Sequence, residues 1–280
     1  MIIDAHTHFY DPSRPQGVPW PAPDSGTLYR PVLPQHFAAV AAPCGVTGTV
    51  VVEASPWVED NQWVLDLAAR EPAIVGFVGH LAPAQPTFGA LLRRFAANPL
   101  FRGIRWGAGP FSTLPSRERR RSLRQLVELD LELDVLIGKE HLASVSAAAR
   151  ALPELRVVID HVGHVPIDGR QPDAEWAAGM RQAARAPGVY VKISALLELS
   201  RQQPAPADPG FYAPTLEVLW QAFGEERLIF GSNWPVCERA GAYATAFAVV
   251  QAFVRGKGGR AEERVFEHNA RAAYRLPGSG

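Results

Sequence analysis

Short runs of β-branched and other apolar residues alternate with amphipathic, alanine-rich stretches along the whole chain. This alternation is typical of βα units that build a parallel sheet. Strands are predicted at 2–5, 49–53, 74–79, 103–106, 134–137, 157–160, 190–194 and 228–231. Helices are predicted near 35–42, 60–70, 87–97, 117–130, 141–151, 174–185, 213–223 and 241–255, with a further helix near 261–273.

Eight such units, repeating about every thirty residues, predict a closed (β/α)8 TIM barrel. The 280 residues are expected to form a single domain, 1–280. An open doubly wound sheet is the alternative, but that fold normally carries a glycine-rich phosphate turn after its first strand. Here the first strand runs instead into Thr7, His8 and Phe9.

The segment 11–34 interrupts this rhythm. It contains seven prolines, together with Trp20 and Tyr29, and is predicted to be a long loop. Loops of this length after a barrel strand are often active-site lids, because the loops that follow strands lie on the face where barrel enzymes work. We therefore expect this Pro-rich loop to cover the active site.

Composition and charge narrow the class of protein. Lysine plus arginine (28) balances aspartate plus glutamate (28), so no overall attraction to nucleic acid or an anionic membrane is expected. The longest apolar stretch, 243–254, is shorter than the roughly 20 residues that span a bilayer. With no visible targeting segment, the expectation is a cytoplasmic enzyme acting on a small-molecule substrate, its oligomeric state left open. Cys44 and Cys237 are too few for a disulfide framework.

Polar residues occur at the carboxyl ends of nearly all the predicted strands. In a barrel these ends meet on one face, so a polar residue there is a candidate site residue. They are His6, His8, Glu53, His80, Arg105, Lys139, Glu140, His161, Lys192 and Asn233. Each alone is as readily a satisfied core or rim residue, but their convergence indicates a catalytic face.

Three histidines are the candidate metal ligands. His6 and His8 are two residues apart, so on a strand both imidazoles point the same way and reach one ion. His161 ends another strand and could provide the third ligand, whereas His164 lies further into the loop and is a poorer candidate.

Lysine is scarce, with three residues against twenty-five arginines. Lys192 lies inside a predicted strand, where a compact, titratable ammonium group is favoured over a guanidinium. Together with Arg105 it would attract a carboxylate or a developing oxyanion. The alternative is a strand lysine that is paired with a neighbouring carboxylate.

Six short motifs in order along the chain resemble the amidohydrolase superfamily, and more narrowly its branch of lactonase-like hydrolases. They are Asp-Ala-His-Thr-His at 4–8, Gly-Ile-Arg at 103–105, Asp-His-Val-Gly-His at 160–164, Val-Lys-Ile-Ser at 191–194, Arg-Leu-Ile-Phe-Gly-Ser-Asn-Trp-Pro-Val at 227–236 and His-Asn-Ala at 268–270.

The resemblance implies a hydrolase that opens a lactone or related cyclic ester, carboxylated or sugar-derived, with an activated water. It implies one divalent metal ion, zinc foremost, because Arg105 stands where two-metal relatives have a carbamylated lysine or a glutamate. The resemblance implies metal ligation by His6, His8 and His161 and a catalytic position for Asn233. From their chemistry and their places near strand ends, Lys192 and Arg105 are also predicted to be catalytic, and Glu53, Trp57 and His80 to bind the substrate, with Trp57 and Trp20 as apolar walls.

Asn233 departs from the pattern of the family, which usually has an aspartate at this position. A neutral amide cannot act as a general base. Either a metal ion activates the water and Asn233 only orients it, or a metal-free mechanism uses the histidines and Lys192 directly. A non-hydrolytic decarboxylase and a catalytically inactive barrel are the alternative functions.

Overall fold

The computed structural model describes residues 1–112 and 116–276. These residues contain eight strands: β1 (Ile3–Thr7), β2 (Gly48–Val52), β3 (Ile74–Gly79), β4 (Phe101–Gly107), β5 (Glu132–Leu136), β6 (Val157–Ile159), β7 (Val189–Ile193) and β8 (Leu228–Phe230). All seven neighbouring pairs are parallel and follow chain order.

The sheet closes on itself between its first and last strands. Thr7 bridges Trp234 in parallel, the His8 amide donates to the Trp234 carbonyl at 2.9 Å, and the Asn233 amide donates to the His6 carbonyl at 2.9 Å. The predicted (β/α)8 barrel is therefore confirmed, and the open doubly wound alternative was wrong.

Helices connect the strands on the outside. They are α1 (Pro34–Ala41), α2 (Val58–Ala68), α3 (Phe88–Ala96), α4 (Ala108–Ser112), α5 (Ser116–Glu128), α6 (Leu142–Ala151), α7 (Ala174–Ala183), α8 (Pro209–Phe223), α9 (Tyr243–Arg255), α10 (Gly259–Glu263) and α11 (Asn269–Tyr274), with a π-helical turn at Arg264–His268. The short helix α4 was not predicted. Helix α8 begins four residues earlier than predicted, because Asp208 caps it by accepting from the Gly210 amide and Pro209 suits its first turn.

The lumen of the barrel contains an apolar layer formed by Ile3, Ala5, Val50, Val52, Val78, Val158 and Ile229, against which Ala270, Ala273 and Tyr274 of α11 pack. Charged side chains share the lumen with this layer: Asp134, Asp160 and Lys192 are each 0% exposed. A large apolar core fills the space between the sheet and the outer helices.

The Pro-rich loop is held across the carboxyl ends of the strands, here called the mouth of the barrel. Tyr10 and Val32 pair as an antiparallel bridge, and the Tyr10 hydroxyl donates to the Leu28 carbonyl at 2.8 Å. Arg14 pairs with Asp60 at 2.9 Å. The loop is thus fastened at several points.

In the described part of the chain, no helix has both the length and the apolar character that a membrane crossing requires.

Candidate active site

An irregularity in β1 brings His6 into the lumen. Asp4 is level with Thr49 and Thr7 with Val51, so β1 holds one more residue than β2 over this interval. Such a bulge re-aims the side chains that follow it. Ala5 belongs to the apolar layer of the lumen, and His6, the next residue, contacts Lys192 inside the same lumen. The sequence analysis placed the strand end at residue 5 because the bulge leaves no apolar alternation to follow.

The three predicted histidines lie together at the mouth. The ring centroid of His6 is 4.4 Å from that of His161 and 5.0 Å from that of His8. All three side chains are nearly inaccessible, with His8 and His161 only 4% and 5% exposed. The ring of His164, three residues further along the chain, lies 5.3 Å from that of His161.

Asp160, rather than His8, completes the tightest group of donor atoms in the described residues. One nitrogen each of His6 and His161 and one carboxylate oxygen of Asp160 lie within 4.8 Å of one another. His8 is turned elsewhere, since its Nδ1 donates to the Val52 carbonyl at 2.9 Å. The His8 ring nevertheless stays next to this group, with its centroid 5.0 Å from that of His6.

The donor atoms fit a divalent ion such as zinc. The buried Nε2 of His6 and Oδ2 of Asp160 have no hydrogen-bond partner. The other oxygen of Asp160, Oδ1, lies 3.0 Å from Lys192 Nζ and 3.3 Å from His6 Nδ1. The Nδ1 of His161 pairs with the Ser194 hydroxyl at 2.9 Å, which leaves its Nε2 for another contact. Imidazole nitrogen and carboxylate oxygen are ligands that zinc prefers, and a second hydrogen bond to each imidazole is the usual support.

The protonation states of these groups also suit a cation. Burial lowers the pKa of both His6 and His161 well below the usual range, so the rings are neutral at neutral pH. Burial alone would raise the pKa of Asp160, but Lys192 and His6 outweigh it and hold that pKa well below the ordinary value. Two neutral imidazoles and an ionised carboxylate are the forms that bind metal.

Lys192 lies below this group in a wholly buried ion cluster. Its Nζ is 3.0 Å from Asp160 Oδ1 and 3.1 Å from His6 Nδ1, and it also pairs with Asp134. Burial lowers the pKa of Lys192, yet the two carboxylates raise it above the usual value, so the ammonium stays charged. The position agrees with the alternative of a strand lysine paired with carboxylates. Lys192 is 0% exposed, so it offers no free ammonium group to the carboxylate or oxyanion that it was expected to attract together with Arg105.

Arg105 is likewise engaged by the protein. Its guanidinium donates through Nε to Glu53 Oε1 at 2.9 Å and through Nη2 to the Glu53 carbonyl at 2.9 Å. His80 stands beside this pair, with Nδ1 3.9 Å from Glu53 Oε1. The predicted residues Glu53, His80 and Arg105 thus form one cluster at the rim, next to His8, whose pKa is lowered to about 4 by burial and then by Arg105.

Asn233 lies at the mouth in left-handed conformation, with φ 61°. Its Nδ2 donates to Oε1 of Glu198 at 2.8 Å. The Asn233 side chain also reaches His8. Glu198 follows β7 and was not predicted as a site residue.

Unusual backbone geometry is concentrated at these strand ends. His161, Val162, Gly163 and His164 are four consecutive residues with φ between 47° and 65°. A β-branched residue such as Val162 rarely adopts this conformation, and such strain clusters at functional sites. The turn is held by Trp176, whose indole donates to the Val162 carbonyl at 2.9 Å.

Trp20 of the Pro-rich loop and Trp57, which was predicted to bind the substrate, occupy different places. Trp20, from the Pro-rich loop, packs edge-on to His8 with ring centroids 6.0 Å apart. Trp57 is 40% exposed at the start of α2. A pocket of about 420 Å³ opens beside His164, between the loops that follow β5, β6 and β7.

Sequence analysis missed Asp134, Asp160, Ser194 and Glu198. Asp160 carried a signal, because it directly precedes His161 in the Asp-His-Val-Gly-His motif. Asp134 also carried one, as the charged residue that begins the otherwise apolar run predicted as a strand at 134–137. Ser194 ends the Val-Lys-Ile-Ser motif, but its contact with His161 could not be read from that motif. Glu198 gave no signal, since its contact with Asn233 depends on how neighbouring loops fold.

The Amidohydrolase family profile matches residues 3–276, nearly the whole chain. The chain belongs to the amidohydrolase family. The sequence resemblance is thereby confirmed, and the barrel with His6, Asp160 and His161 at its mouth is an amidohydrolase barrel.

Curated relatives of this amidohydrolase include two lactonases. An L-fucono-1,5-lactonase from Burkholderia ambifaria is 32% identical over 98% of this chain and 95% of its own length. An L-fucono-1,5-lactonase from Burkholderia multivorans is 27% identical over 99% of this chain and 97% of its own length. An amidohydrolase from Burkholderia multivorans solved with bound zinc has 26% identity and a TM-score of 0.86, covering 99% of this chain and all of that one.

Proposed function

We propose that this amidohydrolase hydrolyses a sugar-derived 1,5-lactone to the open hydroxy acid, with one divalent ion, zinc foremost, held by His6, Asp160 and His161. The observation that carries the proposal is the convergence of these three donors at the mouth of the barrel, with the buried Nε2 of His6 left without a partner. The two lactonases, which match over almost the full chain, support the choice of substrate class.

A bound divalent ion would supply Lewis acidity, which polarises a carbonyl oxygen and makes a water molecule a better nucleophile near neutral pH. The residues of the chain prepare the site for it. Lys192 keeps Asp160 ionised, and Ser194 fixes the ring of His161 through Nδ1. The His8 ring and the Asn233 amide stand beside the donors, where they can orient a water molecule.

The surroundings of the site suit a polyhydroxylated substrate. The pocket beside His164 is lined by hydrogen-bonding side chains from several loops, among them Asp168, Gln171 and Arg201. Trp20 supplies an apolar surface next to His8. Ring hydroxyls need many donors and acceptors, whereas the nonpolar face of a sugar ring packs on an aromatic side chain.

The test is a proton-release assay with a panel of sugar lactones that includes L-fucono-1,5-lactone. Protein purified without chelator is expected to open at least one 1,5-lactone faster than the spontaneous reaction. The variant His161→Asn is expected to lose most of that rate while it retains the circular dichroism spectrum of the wild type. Carbon dioxide release from aromatic acids, measured in parallel, would instead identify a decarboxylase. A folded protein that turns over none of these compounds would support the inactive barrel.

A further inference from the structure

Glu198 places a carboxylate next to the position where the family usually has an aspartate. It lies on the segment after β7, and its Oε1 accepts from Asn233 Nδ2 at 2.8 Å. Its Oε2 is buried and has no hydrogen-bond partner. A buried carboxylate oxygen without a partner is costly, so its position calls for an explanation.

This contact orients the Asn233 amide. Because a carboxylate accepts but does not donate, only the Nδ2 side of the amide can face an ionised Glu198. The Oδ1 of Asn233 is then turned the other way. Burial and then Arg105 lower the pKa of His8, and a hydrogen bond with the Asn233 side chain opposes that shift, so this side chain reaches the His8 ring. The backbone of Asn233 is fixed as well, since its amide donates to the His6 carbonyl at 2.9 Å.

We propose that Glu198 and Asn233 act as one unit that replaces the expected aspartate: ionised Glu198 holds the Asn233 amide so that Asn233 presents an acceptor oxygen to the mouth. In this arrangement Glu198 is a positioning residue, which acts on the reaction through Asn233. The inference rests on the proposed lactone hydrolysis and identifies how an amide serves at that position.

The charged and titratable neighbours of Glu198 come from two other elements, α8 and the helical turn Val236–Arg239 that follows β8. Arg239, after β8, favours the ionised carboxylate. Tyr212 of α8 and Cys237 both have a raised pKa, caused by burial and then by Glu198, and they stay neutral near pH 7. Glu198 itself has its pKa raised to about 7 by burial, against the hydrogen bond of Asn233 and the charge of Arg239.

The unit therefore predicts a pH dependence with a defined sign. Above about pH 7 Glu198 is ionised and the amide is held with Oδ1 towards the mouth. Below it, the protonated carboxyl group donates, the amide reverses and Nδ2 faces the mouth. Activity should thus rise with pH through about 7, the value to which the pKa of Glu198 is raised.

A nuclear magnetic resonance titration tests the unit without substrate. The chain has four asparagines (Asn61, Asn98, Asn233 and Asn269), so selective ¹⁵N-asparagine labelling gives four side-chain amide pairs, and the pair missing in Asn233→Asp belongs to Asn233. We expect the Asn233 pair to shift between pH 5.5 and 8.5 with a midpoint near 7. In Glu198→Gln this shift should disappear. Glu59→Gln, which removes an exposed carboxylate paired with Arg94, should leave it unchanged.

Kinetics with exchanged groups provide the second readout. Glu198→Gln should lower kcat by about 10- to 100-fold, the usual size of effect for a supporting partner, with little change in KM. It should also abolish the rise of kcat with pH near 7. The double variant Glu198→Gln/Asn233→Asp restores an acidic acceptor on the β8 side, bound by an amide. It should recover most of kcat, and the fall of kcat at acid pH should move towards the usual pKa range of an aspartate.

The outcomes separate this inference from the proposed function. If lactones are opened but the Asn233 resonances do not titrate, or Glu198→Gln keeps the wild-type pH profile, the unit is refuted while the lactonase stands. If no lactone is opened but the resonances titrate and lose the shift in Glu198→Gln, the unit stands as a hydrogen-bonded pair while the lactonase fails. A double variant as slow as Glu198→Gln alone also refutes the unit.

Discussion

Individual side chains of this protein show which roles a sequence discloses. His6, His8 and His161 were identified because histidine at a strand end is a recognisable candidate, and their rings do meet. The partners of Lys192 were not foreseeable. Asp134 and Asp160 come from two other strands, and only the closed barrel brings their carboxylates to one ammonium.

Lys192 is predicted to contribute to stability as well as to the site. Lys192→Met leaves Asp134 and Asp160 buried without their cation, and breaking a buried ion pair in this way costs about 3–5 kcal/mol of unfolding free energy. Urea denaturation at pH 7 measures the change. The control is Lys139→Met, which removes a lysine that pairs with Asp173 and Glu175 at the surface and should have little effect. Equal losses in the two variants would contradict the buried network.

Among the secondary-structure elements, the site depends most on the contact between strands β1 and β8. Gly231 follows β8, and a Cβ on it would lie 2.7 Å from the Cβ of His6, too close for either backbone to remain in place. This explains the glycine in the Gly-Ser-Asn motif. Sequence periodicity predicted both strands, but it could not predict the bulge in β1 or this close approach, because both arise from barrel closure.

Gly231→Ala is therefore expected to separate β1 from β8 and displace His6. It should lower both the unfolding free energy and the affinity for zinc, the latter measured by competition with a chromophoric chelator. Gly259→Ala serves as the matched control, since no atom lies within 4 Å of the Cβ it would add. Retention of wild-type zinc affinity in Gly231→Ala would show that the contact between β1 and β8 does not position His6.

At the scale of the whole molecule, the fold was predictable and the chemistry only partly so. Eight alternating units predict a barrel from periodicity alone, since the pattern repeats in every unit. The buried charges in the lumen break that pattern. Asp134, Asp160 and Lys192 occupy positions where aliphatic residues are expected, and their mutual neutralisation appears only in three dimensions.

The central claim is that His6, Asp160 and His161 form one binding site for a divalent ion at the mouth of this barrel. The most direct measurement is the zinc bound per chain, determined by elemental analysis after zinc loading and dialysis, for the wild type, Asp160→Asn and His161→Asn. The account predicts about one ion per wild-type chain, in line with a mononuclear site, and a strongly reduced content in both variants. A wild-type chain that retains no zinc, or variants that retain as much as the wild type, would contradict it.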